Sequence, residues 1–262
     1  MIVSRITFCL PGDGVPGWQL SELKGLASLF RSVVVWINIT QSRQANLEHG
    51  LKMLSVKNCR YDLCQLAIEG LDAELACMVL TEYISEKFDL VATTHNRKRI
   101  AAYQLDNYPP LQSPAPLNWH FLHSHRKETE DKNHLLAQSA MCANPSRQDV
   151  LYQALQARET ISSTLIGQAL ALPHIMHSDV TVPTMVFQRP NAQVVWHQNK
   201  APVHLVITLF IPSPTDRQTL IPFTRLTRWL LSEPHQTLLL DNLDDFTLRI
   251  IISHIMATYQ PE

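Results

Sequence analysis

With 262 residues and 45% hydrophobic composition, the chain is long enough for two ordinary domains, each with its own core. Its 22 basic and 23 acidic residues balance to a formal charge of -1, which gives no bulk electrostatic support for nucleic-acid binding and points to protein or small-molecule partners. Cys9, Cys59, Cys64, Cys77 and Cys142 form no C-x-x-C pair and mostly fall in apolar runs, so they read as reduced core residues. No run reaches the roughly 18 apolar residues of a membrane span. The N-terminus lacks the pattern of an export signal, and the expected location is cytoplasmic.

In chain order, Ile2, Ile6, Phe8 and Leu10 fall on one face of a first strand, and Val33, Val35, Ile37 and Ile39 on one face of a second. Between them Leu20, Leu23, Leu26, Ala27 and Phe30 recur at helical spacing. A short helix over 46–54, a strand in "CRYDLCQLAI" and a helix carrying Leu75, Met78, Val79 and Tyr83 follow, which predicts the order β-α-β-(β)-α-β-α over 1–92. Pro109, Pro110, Pro114 and Pro116 beside Arg97, Lys98 and Arg99 suit neither helix nor central strand, so 93–118 is predicted as a linker and 119–262 as the second domain.

In that domain 135–142 and 146–159 read as helices, the second opened by Ser146 with Asp149 at capping-box spacing. Strands follow at 182–187 and 203–212, the latter an unbroken apolar run of the kind buried on both faces. Two more helices are predicted, one carrying Leu220, Phe223, Leu230 and Leu231, the other Leu248, Ile251, Ile252 and Ile255.

The chemistry concentrates in "RETISSTLIGQALALPHIMHSD", residues 158–179. Gly167 lets backbone approach a ligand closely. Pro173 fixes its own φ and biases Leu172 towards extended geometry, so the ring of His174 projects in a defined direction from a strand end. A neutral imidazole is a competent nucleophile near neutral pH.

This segment resembles the signature of the enzyme IIA proteins of the bacterial phosphoenolpyruvate-dependent sugar phosphotransferase system, fructose and mannitol branch, approximately R-E-x-x-x-S-T-G-I-G-x-G-[IV]-A-[IL]-P-H-G. Arg158, Glu159, Ser163, Thr164, Ile166, Gly167, Ala171, Leu172, Pro173 and His174 agree with it. The resemblance extends over about residues 120–260, through two leading helices, a tryptophan-bearing hairpin around Trp196 and the central strand. It implies an α/β domain with a mixed sheet flanked by helices, and a phosphohistidine at His174. Thr164, Gly167 and nearby backbone N–H groups would hold the phosphoryl oxygens, and Arg158 would support the charge or a docking surface.

The departures are Leu165, Ala169 and Ile175, which stand where the family has glycine, and Thr219, which stands where it tends to carry a second histidine. A side chain where φ is positive is expected to cost about 1 kcal/mol and to move backbone N–H groups that would face an anion. His177 is a candidate to replace the second histidine, set against its reading as a solvent-exposed loop residue.

The order over 1–92 resembles that of the histidine phosphocarrier protein, HPr, an open-faced β-sandwich, so the whole chain is expected to be α/β (α+β). "LPGDGVPGWQLSELKGL" is similar to the carrier's active-site segment, with Pro16 and Gly17 at its Pro-Ala step. No histidine precedes His49, Val15 stands in place of the accompanying arginine, and the regulatory serine falls near Asn46. The domain is expected to keep a carrier's shape without its chemistry, serving as a docking surface, a dimerisation unit or a competitor for carrier-binding sites.

His120, His123 and His125 offer no converging ligand set with cysteine, so no metal site is expected. The absence of a Walker or G-x-G-x-x-G loop argues against nucleotide use. The resemblance implies a relay with phospho-HPr as donor, an enzyme IIB of a sugar permease as acceptor and no cofactor. The alternative is a non-catalytic regulatory or vestigial protein-binding module.

Overall fold

The computed structural model describes residues 2–12, 15–95, 116–123, 130–167, 169–191 and 193–259. It divides into two compact units, 1–112 with Phe246–Tyr259, and 113–245 with Gln260–Glu262. Arg97, Lys98, Arg99, His125 and most of the expected linker lie outside the described residues.

The first unit contains β1 (Ile2–Cys9), α1 (Gly17–Ala27), β2 (Val33–Asn38), β3 (Arg43–Asn46), α2 (Gly50–Ser55), β4 (Leu63–Gly70), α3 (Ala73–Lys87) and β5 (Asp89–Thr93). The sheet order is β3-β2-β4-β1-β5, and every pairing is antiparallel. Alternation along the strands turns Ile6, Phe8, Trp36, Leu66 and Ile68 into one core with Leu23, Met53, Ala76, Leu80 and Ile84 from the three helices. Phe8 and Trp36 meet edge to face at 5.1 Å. This is the helix-on-sheet layering that the HPr resemblance implies, with β5 as an addition the sequence reading did not contain.

The expected second domain of 119–262 includes the last helix, which the structure instead packs with the first unit. There His254, almost fully buried, meets Thr40 Oγ1 at 2.7 Å through Nε2, and the same hydroxyl accepts from Leu63 N. All five cysteines are free; Cys9, Cys64 and Cys77 are buried, whereas Cys59 departs from the core reading by being exposed. Burial pushes the Cys9 and Cys64 thiols far up, which keeps them unreactive.

The second unit contains β6 (Asn118–His123), α4 (Lys132–Ala143), α5 (Gln148–Ile161), β7 (Leu165–Ile166), β8 (Leu170–Ala171), β9 (His174–His177), β10 (Thr184–Arg189), β11 (Leu205–Pro212), α6 (Arg217–Trp229) and α7 (Glu233–Asp241); α8 (Asp245–Thr258) is the helix assigned mainly to the first unit. The sheet runs β6-β10-β11-β8-β7 and is mixed, with β9 also paired to β11. The central strand β11 is buried at all but its last residue. Leu135, Leu136, Leu151 and Leu155 from α4 and α5 pack with Ile175, Val186, Val206 and Phe210 on one face. Arg189 donates to the carbonyls of Leu239 and Asn242, tying the end of α7 to β10.

Two local readings are corrected. Ser146 is not the cap of α5: the Asn144 side chain accepts from Ser146 N and opens a short 3-10 turn at Pro145–Arg147 that leads into the helix. The C-terminal region holds three helices, because α7 is a separate element opened by a proline in its first turn.

Candidate functional site

His174 opens β9, and the parallel ladder fixes what its backbone can do. Leu209 N donates to Pro173 O and Ser213 N to His177 O, so the odd-numbered residues of this segment turn their peptide groups towards β11. Alternation then directs the N–H groups of His174 and Met176 to the other side of the strand, where no further strand pairs with β9 among the described residues. The same alternation puts Ile175 in the core and leaves the His174 ring half-buried on the face of exposed Met176.

The ring of His174 is oriented by one bond. Its Nδ1 lies 2.9 Å from Leu172 O. A carbonyl only accepts, so Nδ1 carries the hydrogen and Nε2 carries the lone pair. In the neutral ring Nε2 is therefore the nitrogen able to act as a nucleophile. His177 is built the opposite way: it lies on the other face of β9, and its Nδ1 accepts from Asp179 N at 3.1 Å. In its neutral form Nε2 of His177 holds the proton, so it does not reproduce the His174 arrangement.

The other expected site residues are engaged elsewhere. Thr164 is buried; its hydroxyl donates to Glu159 Oε2 at 2.5 Å and accepts from Trp196 Nε1 at 3.3 Å. It thus braces the start of the β7–β8 hairpin. Gly167 has φ +61°, and a Cβ there would sit 2.0 Å from Gln236 Oε1, so its lack of a side chain admits the buried Gln236 amide of α7. The Arg158 guanidinium donates to Ser162 O at 3.0 Å and closes the end of α5, and no bond joins it to His174 among the described groups. Thr219 donates through N and Oγ1 to the carboxylate of Asp216, the N-cap of α6.

Strain expected at the three replaced glycines does not arise. Leu165, Ala169 and Ile175 are absent from the positive-φ residues, and among the described residues of this stretch Gly167 alone adopts that conformation. Leu165 and Ile175 pack on the core, and the Ala169 carbonyl accepts from His204 N at 2.7 Å.

Glu159, a motif match given no role in the sequence reading, is the centre of a buried network. Its side chain is 6% exposed and receives Lys132 Nζ at 2.9 Å, Thr164 N at 3.1 Å and the Thr164 hydroxyl. Burial opposes its charge, but the bonds from Thr164 and Lys132 prevail and hold its carboxyl below the ordinary value. The Lys132 ammonium also donates to Trp196 O at 3.2 Å and lies 5.3 Å from the centre of that indole ring. A signal was present in the sequence: a carboxylate in the last turn of a helix opposes the macrodipole and calls for a dedicated partner.

Residues 123–255 match the family "Phosphoenolpyruvate-dependent sugar phosphotransferase system, EIIA 2". The chain belongs to this family. The matched span contains residues 158–174, whose motif carries the resemblance read from the sequence. Multiphosphoryl transfer protein 2 of Escherichia coli (strain K12) is 26% identical over 103 residues, which are 39% of this chain and 12% of that protein's length. The solved nitrogen regulatory protein IIA-Ntr of Neisseria meningitidis is 20% identical, with 55% of this chain and 97% of that one covered at a TM-score of 0.42. The histidine-containing phosphocarrier protein of Mycoplasma is 18% identical, with 31% and 92% covered at a TM-score of 0.29. No helix among the described residues is long and apolar enough to cross a membrane.

Proposed function

We propose that this IIA protein accepts a phosphoryl group on Nε2 of His174 from a phosphorylated carrier protein of the HPr class and passes it to a cysteine of an enzyme IIB partner in the cytoplasm. The observation that carries the reading is the bond from Nδ1–H of His174 to Leu172 O, which leaves Nε2 without a protein partner among the described residues.

In the first step the Nε2 lone pair attacks phosphorus in line. The new N–P bond forms as the carrier's N–P bond breaks, and the carrier's imidazole leaves neutral. His174 keeps its Nδ1 proton, and the positive charge then shared by the ring is met by the Leu172 carbonyl. In the second step a thiolate attacks phosphorus, the S–P bond forms as the Nε2–P bond breaks, its electron pair returns to Nε2, and His174 is again the neutral Nδ1–H tautomer. The N–H groups of His174 and Met176, directed away from β11, are the donors assigned to the phosphoryl oxygens, with Arg158 adding charge after releasing Ser162. No cofactor enters, because the phosphoryl group arrives on a protein.

Incubating the purified chain with phosphoenolpyruvate, enzyme I and intact carrier tests this. Wild type should gain the mass of one phosphoryl group and His174→Ala none. Failure of wild type to gain it while the carrier is fully phosphorylated would sink the relay and favour the non-catalytic binding module.

A further inference from the structure

The β7–β8 hairpin lacks one bond that its register calls for. Leu165 pairs with Ala171 and Ile166 with Leu170, so the next pair, Thr164 with Leu172, falls at a position where both residues exchange N–H···O bonds. Only half of that exchange is made by backbone: Leu172 N donates to Thr164 O at 2.9 Å. The returning donor, Thr164 N, is turned to the carboxylate of Glu159, at 3.1 and 3.2 Å from its two oxygens. The Leu172 carbonyl is thereby released from the hairpin, and it is this carbonyl that receives Nδ1–H of His174.

We infer that Glu159, held by Lys132, is a positioning residue that selects the reactive tautomer of His174 by withdrawing Thr164 N–H from Leu172 O. This rests on the reading of Nε2 as the phosphoryl acceptor. Glu159 touches neither the ring nor the phosphoryl group, and it acts through two backbone groups and one hairpin. The side chain suits this task because its acceptor end is placed beside Thr164 N, with its two oxygens at 3.1 and 3.2 Å from it. Lys132 and the Thr164 hydroxyl keep it charged and fixed, with its own side chain 6% exposed. Without that acceptor, Thr164 N–H closes the hairpin pair on Leu172 O, and the ring loses exclusive use of its one orienting partner. The proton then redistributes to Nε2, where it blocks attack on phosphorus.

Two variants separate this role from simple bracing. Glu159→Gln retains a side-chain carbonyl that accepts Thr164 N–H, whereas Glu159→Leu removes the acceptor at similar size. Protein labelled with ¹⁵N-histidine is examined by long-range ¹H–¹⁵N correlation, with the His174 ring signals identified by their loss in His174→Ala. Wild type and Glu159→Gln should both show the Nδ1–H form. Glu159→Leu should show a substantial Nε2–H population and slow phosphoryl gain about tenfold, on the lower side of what misplacing a proton-carrying group costs.

A folded Glu159→Leu protein that keeps the wild-type Nδ1–H signal overturns the inference. Should Glu159→Leu fail to fold, Glu159→Ala removes the same acceptor without a side chain to place, and an unchanged tautomer there is equally decisive. Because the tautomer is read without any phosphoryl donor, failure of the relay and failure of this positioning role are distinguished in one set of samples.

Discussion

Gly167→Ala is the perturbation that most directly separates packing from ligand approach as the reason for this glycine. At φ +61° an alanine carries a left-handed penalty of about 1–2 kcal/mol. Its Cβ would fall 2.0 Å from Gln236 Oε1 and 2.9 Å from Cδ, so the amide must move. Gln236 is buried and donates through Nε2 to Leu230 O at 2.8 Å. Displacing it forfeits that bond and leaves a buried acceptor, at about 1–2 kcal/mol more. The sum, about 2–4 kcal/mol, corresponds to a fall of roughly 1–2 M in the urea midpoint for an m-value of about 2 kcal/mol/M. Hydrogen exchange of peptides across 165–177 during the titration reads the second unit alone. In a Gln236→Ala background only the left-handed penalty remains, so the pair should show a coupling of about 1–2 kcal/mol. A midpoint change equivalent to less than about 0.5 kcal/mol, or an equal cost with and without Gln236, would refute the packing explanation.

Lys132→Met strips the ammonium from a carboxylate that is 6% exposed, and is expected to destabilise the second unit by about 3 kcal/mol, the lower end for breaking a buried pair because Thr164 still holds Glu159; denaturant unfolding checks it. Since Glu159 is held below its ordinary value of 4.5, its contribution to stability is present above that pH and is lost as pH falls through the lower folded-state value. Melting temperatures measured across the acid range should therefore fall less steeply for Glu159→Gln than for wild type. His177→Ala should accept a phosphoryl group from the carrier as wild type does, because the ring lies on the opposite face of β9 with the other tautomer; loss of mass gain in this variant would show that the ladder argument misassigns the second histidine.

What the sequence made legible was whatever depends on near neighbours. The apolar run of β11 and the alternation in β1 and β2 carry their own burial pattern, and Pro173 beside His174 is a local constraint on one strand end. The elements missed were those whose identity comes from a distant partner. The five residues of β5 become a strand only by pairing with β1, and α7 has a proline in its first turn and a solid Leu238–Leu239 cluster instead of a clean stripe. The same division runs through the site. His174 was found because its signal is contiguous. The packing partners of Thr164 and Gly167 were missed because Trp196, 32 residues from Thr164, and Gln236 of α7 are not visible from within the motif.

The replaced glycines then take on a single physical meaning. In a glycine-rich loop the backbone N–H groups can turn towards an anion, and flexibility there is the condition for doing so. In this chain Leu165 and Ile175 spend the corresponding positions on the core, and Ala169 anchors the hairpin to His204 and Leu205 through its carbonyl. The segment before His174 is consequently a fixed hairpin, bonded on one side to β11 and on the other to the Glu159 network. With its backbone committed in this way, the segment leaves the N–H groups of His174 and Met176 as the donors turned away from β11 next to the ring. What the rigid hairpin supplies in exchange is orientation: one carbonyl held in place, one tautomer, and one nitrogen with its lone pair directed away from the core.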